Sequence, residues 1–450
     1  INNVIAPAGA FIEVIQLPDY PMTTVRDTYM SGEYVGAFWK AGQTGERIIR
    51  IPVGTNTVRS GKWDASVYWL GPGWNAGDIV FSNDISDDTG ITYHSSTETP
   101  ANMLTYDATY AVSGYVSSAS GTAVSGAGNY IYFRIGLTST YAATGNNPAR
   151  YALVLLRYGT PQKYHIIYIR QGEKPDYLMY PSDDSRGSAA VQFCAYNVTA
   201  SDLTNNDELV EILPNRSNAV FTDYPTQAGA LFQWSEVLTY GPLAYNPVNP
   251  ITPVIWYDIP TGSFWSTLKA TSESCPPGYR RPNDGSTITV ALNASSTAIK
   301  NSEIRQSLYA TPTVGDNFND ANLRWGFYAD GYFDRRDHNN SFIASPGEGG
   351  SAIASNTAVS WTTKDVAYVG SLLFNPVSGS LRENASLFIP AAGNRHSEQG
   401  ALVEGGEAGF LLSSSGPNGT DMWYLVGSSF GTGQLSSTRK HGMSLRCVPE

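Results

Sequence analysis

The chain has 450 residues, 41% of them hydrophobic and only 15% charged, which at about 150 residues per domain allows two or three domains with sizeable cores. A net charge of −11 sets the surface against phosphate backbones and excludes a nucleic-acid partner, and no run of roughly 18 apolar residues is present to span a membrane as a helix. Gly (44), Tyr (28) and Trp (10) fill the place of charge, a balance that suits an exported β-rich protein with long ordered loops. The three cysteines, at 194, 275 and 447, allow one bridge and not a disulfide-dense scaffold. The sequence opens at Ile1 with neither an initiator Met nor a basic-then-apolar leader, and is read as a mature or trimmed form whose signal or lipid anchor has been removed.

Within residues 1–30, Phe11 to Leu17 alternates well enough for one strand. Residues 33–170 carry short segments rich in β-branched and aromatic residues at 46–53, 63–70, 78–82, 130–137, 151–158 and 163–170, bounded by Gly, Pro, Asn and Asp. The last two are joined by Gly159-Thr160-Pro161-Gln162, a hairpin signal. No helical period of useful length appears, and 83–129, rich in Ser, Thr and Gly, reads as one irregular excursion. These segments predict an antiparallel β-sandwich, immunoglobulin-like or pilin-like, over 1–172. The polar stretch 173–188, which holds Pro175 and Pro181, reads as a linker to a second domain over 189–450.

The second domain opens on VQFCAYNV (191–198), an apolar strand in which Cys194 acts as a small buried hydrophobe. SDLTNNDELVEIL (201–213) predicts a short helix capped by Ser201 or Asp202. Phe232, Gln233 and Trp234 form a mid-domain cluster expected in the core. In SCPPGYRRPNDG (274–285), Pro276, Pro277 and Gly278 force an extended turn. The following 286–310 reads first as β and only later as helix. Residues 314–345 are dense in Asp, Asn and aromatics and read as a solvated loop. Asp316, Asp320, Asp330 and Asp334 are candidate calcium ligands there, although the spacing fits no EF-hand. Trp325, Tyr328, Tyr332, Arg335 and Asp337 are candidate ligand-loop residues, because rings flanked by Asp and Arg suit stacking on a sugar and recognition of its hydroxyls.

Residues 388–447 hold the most distinctive pattern. Pro390-Ala391-Ala392-Gly393, Arg395, Gly409-Phe410, Ser413 to Ser415, Trp423-Tyr424, Gly442 and Arg446-Cys447 follow one another in an order that resembles the C-terminal signature of the FISUMP family, the major paralogous domain of Bacteroidales surface proteins. SCPPGYRRPNDG is similar to the same family's opening motif, and departs from it where Arg281-Pro282-Asn283 replaces a Leu-Pro-Thr run. The resemblance covers roughly 189–450 and implies a C-type-lectin-like or formylglycine-generating-enzyme-like fold, so that the whole chain is expected to be mainly β with some α. Its two motifs each hold a cysteine, which makes Cys275 with Cys447 the expected bridge.

The chemistry looked for in such a fold is not marked. The related oxidase binds copper through two late cysteines, and only Cys447 lies late here. H-E-x-x-H does not occur. His396 and Glu398 could be drawn into a triad with Ser413 to Ser415, but a Ser-rich chain offers many such trios. Arg395 and Arg446 read as structural donors. The expectation is therefore a non-enzymatic binding protein without cofactor, calcium aside, located at the cell surface, outer membrane or fimbrium. The resemblance implies a fimbrial tip adhesin that accepts a strand from a shaft or adaptor subunit and contacts a glycan or protein ligand. An ending within the domain's own last strand, at Glu450, leaves no spare strand to donate. Arg47 and Arg50, beside a strand, are candidate processing sites. The alternative is an outer-membrane glycan-binding or glycan-processing lipoprotein outside any pilus.

Overall fold

A computed structural model describes residues 36–52, 61–82, 118–123, 130–142, 149–158, 163–181, 189–204, 207–222, 225, 228–234, 240–247, 255–256, 272–283, 301–309, 325–329, 369–374, 386–404, 408–417, 420–428 and 431–450. The protein is mostly β. It divides into two compact units, the first built on the chain up to Lys174 and the second on most of the chain from Pro175 onward. The strand expected at Phe11 to Leu17 lies outside the described residues.

The first unit holds β1 (Gly36–Trp39), β2 (Gly45–Pro52), β3 (Gly61–Leu70), β4 (Ile79–Ser82), β5 (Ser118–Ala123), β6 (Tyr130–Leu137), β7 (Arg150–Tyr158) and β8 (Lys163–Gln171). One sheet runs β1-β8-β7-β3-β5 and the other β2-β6-β4. Alternation with a period of two sends one set of side chains from each sheet into a single core. Trp39, Trp63, Ala65, Ala152, Val154, Leu156, Ile167 and Ile169 come from the first sheet, and Ile79, Phe81, Phe133, Ile135 and Leu137 from the second. Two strands were not legible in the sequence. β5 lies inside the stretch read as an irregular excursion and pairs with β3 from Gly61↔Ala123 to Ser66↔Ser118. β1 pairs with β8 in parallel, Gly36↔Tyr168 to Trp39↔Gln171, whereas every other pair in this unit is antiparallel among the described residues.

One end of this unit is pinned by Arg150 and Gln171. Arg150 donates to Gln171 Oε1 (2.8 Å), Asp78 Oδ2 (3.1 Å), the Gly73 carbonyl (2.5 Å) and Ser139 Oγ (2.7 Å), and its guanidinium lies 3.8 Å from the centre of the Trp74 ring. Gln171 Nε2 donates to the carbonyls of Gln43 (2.7 Å) and Ser139 (3.0 Å). Three loops are thus tied to the ends of β7 and β8 by buried polar groups that each find partners. Burial pushes the Arg150 pKa down, against the attraction of Asp78.

The second unit adds β9 (Val198–Ala200), β10 (Leu209–Glu211), β11 (Ala219–Phe221), β12 (Leu231–Phe232), β13 (Leu243–Tyr245), β14 (Tyr279–Arg280) and helix α1 (Glu303–Leu308). Then come β15 (Trp325–Ala329), β16 (Val369–Phe374), β17 (Ser386–Pro390), β18 (Asn394–Arg395), β19 (Leu402–Val403), β20 (Ala408–Leu412), β21 (Asp421–Ser428), β22 (Gly431–Thr438) and β23 (Val448–Pro449). The sheets are small: β10-β13-β12, β11-β9, β14-β23, β15-β16-β17, β18-β19 and β20-β21-β22. A core that includes Cys194, Val198, Phe232, Trp234, Ala244, Phe410, Leu412, Tyr424 and Leu445 joins β10-β13-β12, β11-β9, β14 and β20-β21-β22.

Several local expectations change. The described residues of 201–213 form no helix. Asp207 Oδ2 takes both the backbone N–H and the hydroxyl of Thr204 (2.7 Å each), and β10 then pairs with β13, so a side-chain-closed turn and a sheet partner displace the helix. Asn218 covers the outer edge of β10, accepting from Leu213 N (2.9 Å) and donating to the Glu211 carbonyl (2.9 Å). VQFCAYNV is regular only from Val198 onward, with isolated bridges at Phe193 (to Asp176) and Asn197 (to Arg446). Of the stretch read as a linker, Asp176 exchanges backbone hydrogen bonds with Phe193 (3.1 and 2.8 Å), and Met179 N donates to the Ser307 carbonyl (3.0 Å). Within 314–345, read as a loop, the described residues 325–329 form β15.

Candidate functional site

The residues that carry the sequence motifs meet in the second unit around a set of buried arginines. Gly278 adopts φ +84 and turns the Pro276-Pro277 segment back, so that β14 lies against β23 with Tyr279↔Pro449 and Arg280↔Val448. Beside that ladder Cys275 and Cys447 form a disulfide, Cα atoms 6.0 Å apart and 172 residues apart in sequence. Arg281, next after β14, is fully buried. It donates to the carbonyls of Trp234 (2.5 Å) and Ser272 (2.8 Å) and lies 3.5 Å from Glu273 Oε1. Glu273 in turn accepts from the N–H groups of Ser274 (2.8 Å), Cys275 (2.9 Å) and Arg281 (3.0 Å). Burial pushes the Arg281 pKa down and Glu273 opposes the shift. Arg280, half-buried, forks onto Glu303 at 2.8 and 2.6 Å, and hydrogen bonding to that carboxylate raises its pKa.

The C-terminal motif uses its arginines in the same way. Arg446 donates to Asn197 Oδ1 (2.9 Å), the Cys194 carbonyl (3.3 Å) and the Phe388 carbonyl (2.8 Å). Arg395 donates to the carbonyls of Gly400 (2.8 Å) and Asn246 (2.5 Å), and burial lowers its pKa to about 10. Arg439 stacks 4.0 Å from the Trp234 ring and donates to the Asp421 carbonyl (2.9 Å). The Ser413 hydroxyl sits between the carbonyls of Ser415 (3.0 Å) and Trp423 (2.9 Å). Ser414 N donates to the Pro282 carbonyl (2.9 Å), which joins the late motif to the early one. These guanidiniums and the Ser413 hydroxyl bond to backbone carbonyls, with Asn197, Glu273 and Glu303 as side-chain partners.

Gly409 shows why a motif position is fixed. A Cβ there would lie 2.5 Å from the Pro390 carbonyl oxygen and 2.8 Å from Ile389 Cγ2. Gly409→Ala is expected to destabilise the second unit by about 1–3 kcal/mol, read as a lower denaturant midpoint at an unchanged slope.

The polar cluster nearest this frame is the loop between β18 and β19 together with the turn after β22. Arg395 and Gly442 exchange backbone hydrogen bonds (2.7 and 2.9 Å) and tie the two together. The rings of His396 and His441 meet edge to face, centroids 5.3 Å apart. His441 Nδ1 lies 3.3 Å from Asn394 Oδ1, and Asn394 Nδ2 donates to Glu404 Oε2 (3.0 Å). Glu404 holds φ 56, unusual for a residue with a Cβ. Trp256, half-buried, donates its indole N–H to the Ser397 carbonyl (2.9 Å) and packs 4.9 Å from Tyr245. Sequence reasoning passed over Trp256, Asn197, Asn246 and Glu273.

The remaining candidates fall as follows. Asp316, Asp320, Asp330, Asp334, Tyr332, Arg335 and Asp337 lie outside the described residues. Trp325 and Tyr328 are the first and fourth residues of β15. Arg47 and Arg50 lie inside β2, opposite Ile135 and Tyr132 of β6. Cys194 is buried and takes no part in the disulfide. Among the described residues no group of three or more His, Cys, Asp or Glu could hold a metal ion, and no helix is long and apolar enough to cross a membrane.

No family model matches the chain, and no curated protein matches it. Among solved structures, the periplasmic chaperone SfaE aligns over 43% of this chain and 80% of its own, at 10% identity and a TM-score of 0.19, an agreement too low to carry an argument.

Proposed function

We propose that the protein is a non-enzymatic cell-surface binding protein of the FISUMP type, a fimbrial tip adhesin. Its first unit is an immunoglobulin-like or pilin-like sandwich that accepts a strand from a shaft or adaptor subunit, and its second is a lectin-like domain that meets a glycan or protein ligand. One observation carries this reading: the arginines and Ser413 of the two motifs are engaged by backbone carbonyls and by Asn197, Glu273 and Glu303, so the motif residues build a frame and leave ligand contact to the loops it displays. For the partner, the support is β1. It is the edge strand of its sheet, only four residues long, and lies parallel to β8. A cut at Arg47 or Arg50 removes β1 with Trp39, and leaves the edge of β8 and the Trp39 site for an incoming strand to fill.

Both arginines lie within the eight-residue β2–β6 ladder. A protease that needs an extended substrate therefore acts either before that ladder forms or after it opens. The test is limited digestion with a trypsin-like protease, N-terminal mapping, and mixing with a candidate shaft pilin. A cut at Arg47 or Arg50 followed by stable association is the expected result. An intact N-terminus with no association sinks the strand-accepting reading.

A further inference from the structure

Cys194 takes no part in the bridge, yet it lies beside it. Its backbone N–H donates to the Cys447 carbonyl at 2.9 Å, and Val198 N donates to the Leu445 carbonyl at 3.2 Å. Between these two bonds an isolated antiparallel bridge pairs Asn197 with Arg446. The 194–198 segment therefore runs alongside the end of the chain's last motif. Side chains alternate between the two faces of such a pair. Arg446 turns to Asn197, whereas Cys194 and Val198 enter one core with Leu445 and Cys447. Cys275 belongs to the same core, so three cysteines, none more than 2% exposed, share one interior.

Fixed bond lengths turn the hydrogen bond between Cys194 N and the Cys447 carbonyl into a Cα–Cα separation of no more than about 7 Å. Beyond about 7 Å two cysteines cannot be joined without moving the backbone, so this pair lies within reach of a bond. The pair that is joined, Cys275 with Cys447, has its Cα atoms 6.0 Å apart. Cys194 also lies near β14, the strand that follows Cys275. Burial first, and charge on Cys194 second, raise the pKa of Tyr279 on that strand.

We propose that Cys194 is a second partner for Cys447, and that the bridge of the second unit passes between Cys275 and Cys194. The Cys194 thiolate attacks Sγ of Cys447. A bond between the sulfurs of Cys194 and Cys447 forms as the bond between those of Cys275 and Cys447 breaks. The electron pair leaves on Cys275, which takes up the proton that Cys194 gave up. One thiol and one disulfide enter the step and one of each leaves it, so it needs neither oxidant nor reductant. Buried thiols react slowly, which sets the exchange on a scale of minutes to hours. What changes is the segment to which the end of the chain is tied. In the second form the opening motif loses its covalent anchor and is held by Arg281 on the Trp234 carbonyl, by Arg216 on the Cys275 and Tyr279 carbonyls, and by the two-residue β14–β23 ladder.

Mapping the bridge in the full chain tests it. The folded protein is held at about pH 8.5 without added thiol, quenched by alkylation at intervals and digested without reduction. Trypsin cuts between all three cysteines, so each pairing yields its own linked peptide. A 194–447 peptide is expected to grow in over hours at the expense of the 275–447 peptide, and to be missing from a Cys194→Ala variant. In a Cys275→Ser variant folded under oxidising conditions, 194–447 is expected to be the main pairing. A bridge that stays wholly 275–447 in the unsubstituted protein overturns the proposal, as does a folded Cys275→Ser variant that keeps two thiols. A 194–275 peptide appearing in equal amount also overturns it, because it marks scrambling through the unfolded chain. Should Cys275→Ser not fold, the time course of the unsubstituted protein against Cys194→Ala decides.

Discussion

Arg281→Met is expected to cost the second unit about 3–5 kcal/mol, enough to unfold it or leave it marginal. Methionine replaces the volume of the stem but none of the donors. It leaves the Trp234 and Ser272 carbonyls without the guanidinium, and Glu273 ionised in the core with only three backbone N–H groups to hold it. The penalty comes from stranding the partner charge more than from losing the pair. A double variant, Arg281→Met with Glu273→Gln, should therefore recover part of the loss. Chemical denaturation of the parent and the two variants measures it, and an Arg281→Met protein as stable as the parent would remove Arg281 from the frame.

The second large effect is expected from the disulfide. Cys275 and Cys447 close a loop of 172 residues, for which the chain-entropy argument gives about 5 kcal/mol, a ceiling on a realistic range of about 2–5 kcal/mol. Both cysteines are fully buried in the core that includes Phe232 and Leu445, so reduction also leaves two thiols inside a packed interior. Thermal unfolding of Cys275→Ser with Cys447→Ser, or of the reduced protein, should show a markedly lower midpoint for the second unit and no change in the first. Equal loss in both units would mean that the bridge is not a local staple.

How much of this was written in the residues depends on what holds each element. Strands that alternate and bury one face, such as β6 with Phe133, Ile135 and Leu137 inward, were legible because the period of two is itself the signal. β5 was not: Ser118–Ala123 has little apolar character, and it is a strand because β3 offers it an edge. The failed helix at 201–213 belongs to the same class, decided by Asp207, β13 and Asn218 and not by propensity. In the candidate site, the motif arginines were legible as structural donors. Their acceptors were not, because Asn197 lies 249 residues from Arg446 and Asn246 lies 149 from Arg395. Carbonyl acceptors leave no trace in a sequence at all.

The order of the cysteines has a consequence for biogenesis. A chain that enters an oxidising space with its N-terminus leading presents Cys194 and Cys275 to an oxidase before Cys447 arrives. Yet in the finished molecule Cys194 stays outside the bridge, and Cys275 is joined to the late arrival. Either early oxidation is held off until the final strand has emerged, or a premature 194–275 bond is resolved by thiol exchange once Cys447 comes within reach. The first unit, with no cysteine in it, has no such step.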